Sequence, residues 1–144
     1  METKKIIAVM ILEIIGKPAE HLVKTLEQII KDMGEEKGVK IISKKISEPA
    51  ELKDRKDFFT AFAEIEIEIE EALQLAILMF KYMPAHVEVV SPESLVLKNN
   101  EYGDILSELT RRLHKYDEVV RVVQMEKDIL EKKLKSILEK KEDK

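Results

Sequence analysis

The sequence predicts an α+β fold, a layer of helices on a sheet with one long helix appended. Three observations carry it. Strand-like apolar runs and helix-period segments alternate in the order β-α-β-β-α-β up to about His86–Val90. Within Phe58–Ile69, Ala63, Ile65, Ile67 and Ile69 alternate with Glu64, Glu66 and Glu68. From about Tyr102 a seven-residue apolar repeat takes over and runs almost to the last residue. In a compact domain with right-handed crossovers, that order is most simply the split β-α-β, or ferredoxin-like, sandwich. The expected division is a ferredoxin-like domain over residues 1–98 and a C-terminal helix over residues 99–144.

Lys4–Ile15 opens the domain as a strand apolar on both parities, with Ile6, Ala8, Met10 and Leu12 against Ile7, Val9 and Ile11. Such a strand is expected in the middle of its sheet and covered on both sides. Gly16-Lys17-Pro18 ends it, and Pro18 suits a first helical turn. Leu22, Leu26, Ile29, Ile30 and Met33 then recur at helical spacing, and Gly34 and Gly38 supply the stop. Val39–Ile46 reads as the second strand. Ser47–Asp57 is a charged connection, long for a hairpin. Glu70–Met83 reads as a helix apolar nearly all round, hence buried on more than one side, and stopped by Pro84. His86–Val90 is the fourth strand, read as buried.

The long helix carries two interleaved series: Leu106, Leu113, Val120, Lys127, Leu134 and Leu109, Tyr116, Val123, Leu130, Ile137. As heptad positions a and d, all of these sites are apolar except Lys127. Up to Val123, Ile105, Val119 and Val122 widen the stripe, as for a helix docked on a large surface. Beyond Lys127 the seam narrows, as in a coiled-coil arm. The nine apolar residues of the seam are the candidate interaction site, and a homo-oligomer is the expected state.

Composition removes several classes of function. There is no cysteine, so disulfides, thiolate nucleophiles and thiolate metal sites are excluded together. No apolar run reaches the roughly 18 residues of a membrane span. Glu13 interrupts the only signal-like stretch, and no small-residue cleavage pattern follows, so the expected location is the cytoplasm. Charged residues are 38% of the chain while Gln and Asn number three and two, the direction expected of a thermophile protein. Residues 1–100 hold 14 basic and 18 acidic side chains, and residues 101–144 hold 11 of each. Neither part has the positive surplus that neutralises phosphates, so nucleic acid is not an expected partner.

Glu64, Glu66 and Glu68 form, with Glu70, an acidic ladder at spacing two. Successive members of a strand ladder sit about 6.8 Å apart, too far for neighbours to chelate one ion side by side. The expected role is a solvated face, paired in part with Lys40 and Lys44 across the sheet. The first and third main strands are expected to be adjacent and parallel. That arrangement divides the open face into two zones: an apolar end, with Ile6, Ala8 and Met10 beside Phe62, covered by the helix or a second subunit, and a wet acidic end. Lys53, Arg55 and Lys56 place a second surface candidate in the charged connection. His21, His86 and His114 lie on three different elements, none with the i, i+4 spacing of a zinc pair. The four glycines are isolated, so no phosphate loop exists. No catalytic, cofactor or metal residue is assigned. The fold hosts amino-acid-sensing domains, RNA binders and translation-factor domains alike, and does not choose among them. The leading expectation is a non-enzymatic scaffold, adaptor or regulatory subunit. The alternatives are a sensor that binds a small effector between paired sheets and, behind it, an RNA-associated protein.

Overall fold

The computed structural model describes residues 5–142. Residues 1–4 of the expected domain, including Lys4 at the expected start of the first strand, lie outside the described residues, as do the last two of the helical segment. The described elements are β1 (Ile6–Gly16), α1 (Ala19–Gly34), β2 (Val39–Ile46), β3 (Ala50–Glu51), β4 (Phe59–Ile69), α2 (Ala72–Tyr82), β5 (His86–Ser91) and α3 (Asn99–Glu142). The order is that of the ferredoxin-like sandwich, with β3 added inside the charged connection. The chain divides into two compact units at Ile105/Leu106, so the first turns of α3 count with the sheet.

In the first unit the strand order is β2-β4-β1-β5, and β3 pairs with β4 where β2 leaves off. β4 runs antiparallel to β1 over its whole length, from Ile6 opposite Ile69 to Gly16 opposite Phe59. This corrects the expected parallel pairing, and connectivity explains it. The α1 crossover makes β1 and β2 parallel, while the hairpin connection makes β4 antiparallel to β2. Since β4 lies between them, it opposes both.

One face of the sheet closes the core. Ile6, Ala8, Met10 and Leu12 of β1 lie beside Ile69, Ile67, Ile65 and Ala63 of β4, and all eight are buried. Leu22, Leu26, Ile30 and Met33 of α1 pack on this layer at the spacing read from sequence. Burying each such side chain is worth about 1.5–3 kcal/mol relative to exposing it. Past α1, Gly38 turns the chain into β2 with φ +80°, a left-handed conformation that glycine adopts without strain.

Three burial expectations fail. The second parity of β1, Ile7, Val9 and Ile11, is only half-buried rather than covered. α2 buries only Ala76 and Leu78, so its apolar composition overstates its packing. β5 is an edge strand with His86, Glu88, Val89 and Val90 exposed, not a buried one.

α3 is one continuous helix through Lys127, about 66 Å long at 1.5 Å per residue, and none of its residues is buried. Among the described residues no helix is long and apolar enough to cross a membrane.

Candidate functional site

The seam of α3 is exposed along most of its length. Leu106, Leu113, Tyr116, Val120, Val123, Leu130, Leu134 and Ile137 are between 43% (Tyr116) and 65% (Leu130) exposed, and Leu109 is half-buried. Ion pairs one turn apart lie along its polar sides. Glu108 receives both Arg111, at 2.6 Å, and Arg112, at 2.7 Å, and these hydrogen bonds hold its carboxyl below its ordinary value. His114–Glu118, Arg121–Asp117 and Lys127–Glu131 follow at i, i+4, with N···O separations of 3.0, 3.0 and 3.9 Å. Exposed pairs of this kind are screened by solvent and leave the apolar stripe untouched. Between Val123 and Leu134 the helix surface forms a shallow hollow of about 330 Å³ with Lys127 among its walls and Glu126 and Glu131 beside it.

The acidic ladder lies on the face of the sheet opposite the core. There Glu68, Glu66 and Glu64 stand opposite Ile7, Val9 and Ile11 of β1. The antiparallel pairing therefore replaces the two expected zones with two stripes side by side, acidic along β4 and apolar along β1. Phe62 lies opposite Glu13, far from Ile6. Ile6, Ala8 and Met10 are on the other face altogether, in the core. Glu64 is exposed, and Glu66 and Glu68 are half-buried. Lys5 approaches Glu68 at 3.6 Å, and the Ser43 hydroxyl donates to Glu66 at 3.4 Å. Lys40 is opposite Glu68 and Lys45 is opposite Glu64, whereas Lys44, expected beside the ladder, is opposite Ile65. A register irregularity between Ile41 and Ser43 causes this, since one extra residue moves Lys44 to the other face.

Lys53, Arg55 and Lys56 are all exposed. Arg55 lies over the Phe58 ring at 5.8 Å and Lys17 over it at 5.1 Å, so part of this basic cluster is spent on anchoring an aromatic of its own chain. His21 and His86 are exposed as well, and the His114 side chain is 72% exposed. Among the described residues no group of three His, Asp or Glu side chains is placed to hold a metal ion.

One polar cluster went unread in the sequence. Glu36, just past α1, accepts hydrogen bonds from Lys81 and from the Tyr82 hydroxyl, the latter at 2.9 Å, and ties the ends of the two helices together. Partial burial pushes the Glu36 carboxyl up, but the Lys81 and Tyr82 hydrogen bonds and the Lys81 charge outweigh it, so the net direction is down. Burial and the adjacent carboxylate push the Tyr82 phenol up to about 12. The residues lie 45 and 46 positions apart, a separation at which no local pattern signals contact. A cleft of about 650 Å³ also opens in the first unit, with Ile6, Leu73, Leu95 and Ile105 along it and Glu70, Glu71, Glu101 and Asp104 among its lining.

The model of the MJ0538 family matches residues 7–142, nearly the whole chain, and the protein belongs to that family. Neither a curated protein nor a solved structure matches it.

Proposed function

We propose that this member of the MJ0538 family is a cytoplasmic, non-enzymatic assembly protein, a small scaffold, adaptor or regulatory subunit, that self-associates through α3. The observation that carries this reading is the open heptad seam: eight large side chains at a and d, each more than two-fifths exposed on a continuous helix. A contiguous apolar stripe of that length is a surface that soluble monomers avoid, whereas pairing removes it from water at about 25 cal/mol per Å². A second copy suits the stripe on charge, because residues 101–144 carry 11 basic and 11 acidic side chains and do not repel themselves in bulk.

Light scattering on the full chain at micromolar concentration tests the proposal. A dimer or larger mass is the expected result. Leu130→Glu with Leu134→Glu reduces it to the monomer while the circular dichroism of the sheet unit persists. A monomeric parent chain overturns the reading. The effector-sensing alternative draws on the half-buried Ile7, Val9 and Ile11 stripe, which a second sheet would cover. It requires a metabolite that raises the melting temperature of the sheet unit, which an assembly protein does not. The acidic ladder beside that stripe argues against RNA as the occupant.

A further inference from the structure

The charges beside the seam carry information about how two copies meet, given the self-association proposed above. With Leu106 at a, the g positions are Ile105, Arg112, Val119, Glu126, Lys133 and Lys140, and the e positions are Thr110, Asp117, Gln124, Glu131 and Leu138. In a parallel pair in register, each g residue meets the e residue five positions further along the partner. Arg112 then meets the partner's Asp117, an attractive contact made twice. Ile105 and Val119 meet uncharged residues, and Lys133 meets Leu138. The one like-charged contact is Glu126 with the partner's Glu131. That contact flanks the one a position that is not apolar, Lys127.

The coincidence gives the lysine a purpose. In that layer two ammonium groups lie among four carboxylates, and each Lys127 can lay its methylene stem along the seam while its head reaches the edge. Within one chain Lys127 already approaches Glu131 at 3.9 Å, and both line the hollow between Val123 and Leu134. Other alignments lose this compensation. The antiparallel pair that keeps every seam position in use sets Leu106 against Ile137. It places Arg112 against the partner's Lys133, like against like, and Glu126 against Val119. A parallel shift of one heptad sets one lysine against Val120 and the other against Leu134, so two apolar layers each take an unmatched ammonium. We infer that α3 pairs with a second copy of itself, parallel and in register, and that Lys127, Glu126 and Glu131 form the charged layer that fixes this alignment.

The absence of cysteine from the chain makes the test clean. In a parallel in-register pair, Leu113→Cys and Leu134→Cys each form their own disulfide-linked dimer on mild oxidation. In the antiparallel pair neither self-links, and Leu113→Cys links instead to Leu130→Cys when the two are mixed. Light scattering on the same samples separates the failures. A dimeric mass without self-linking overturns this alignment alone, whereas a monomeric mass overturns the self-association it rests on. As a second arm, Lys127→Glu raises the dissociation constant by about 100-fold or more, since six carboxylates then share one layer. Adding Glu126→Lys and Glu131→Lys inverts the layer and restores association. An unchanged Lys127→Glu variant, or an inverted layer that stays dissociated, overturns the proposal.

Discussion

β4 and the seam of α3 are equally regular in sequence and opposite in outcome. On the inner face of β4, Ala61, Ala63, Ile65, Ile67 and Ile69 are all 0% exposed. On α3, apolar side chains repeat just as faithfully over some thirty residues, and none is buried. A periodic apolar pattern therefore specifies a face without specifying whether, or by what, it is covered. In the first unit the cover comes from the same chain, because α1 and α2 return over the sheet. On α3 the stripe stays exposed along most of its length.

The sharpest way to break this contrast is to truncate one side chain in each region. Ile67→Ala removes buried methyl groups and leaves a cavity, so the sheet unit loses about 2–5 kcal/mol in denaturant unfolding followed by circular dichroism. Leu134→Ala removes a similar volume, yet shifts the unfolding of the sheet unit by no more than about 0.5 kcal/mol. Under the self-association proposed above, its effect appears in the concentration dependence of association instead. Equal losses in sheet-unit stability for the two variants would mean that the seam belongs to the fold of the first unit.

A smaller effect separates backbone from packing inside the first unit. Gly38 has φ +80°, and a β-carbon placed there meets nothing within 4 Å. Gly38→Ala therefore costs only the conformational term, about 1–2 kcal/mol. A larger loss of melting stability would point to a contact that the structure does not contain.

The outlines of these two regions were legible for different reasons. Period-two alternation placed β4 to within a residue, and the 3.6-residue period placed Leu22, Leu26, Ile30 and Met33 on one face of α1, because both signals are local. What failed depended on neighbours distant in sequence. The direction of β4 beside β1 follows from the whole connectivity, and the burial of β5 from its place at the edge. The place of Lys44 opposite Ile65, rather than beside the ladder, comes from one irregularity in β2 that no residue type announces. The apolar stripe of α3 follows from the local heptad spacing, whereas the Glu36–Lys81–Tyr82 cluster joins segments that only the fold brings together.

That cluster supplies the smallest of the expected effects, and its sign is opposite at the two ends of the pH scale. Glu36 is held below its ordinary value of 4.5, so its contribution is present above that pH and is lost as pH falls through the lowered value. The Tyr82 phenol is raised from 10.0 to about 12, so its contribution is present below pH 10 and is lost as pH rises from 10 to 12. Between these limits the carboxylate and the neutral phenol are both in the states that their hydrogen bond requires. The Lys81 side chain is 54% exposed, so its ion pair with Glu36 is screened and worth no more than about 1 kcal/mol. Tyr82→Phe removes one hydrogen bond to the carboxylate, at a cost of about 1 kcal/mol near neutral pH. In that variant the stability loss between pH 10 and 12 becomes shallower, while the acid limb persists in weaker form through Lys81. Glu36→Gln removes this cluster's share of the acid limb. Should the alkaline limb of the parent chain survive unchanged in Tyr82→Phe, the titrating group is not Tyr82, and the tie between the ends of α1 and α2 is not what holds them at high pH.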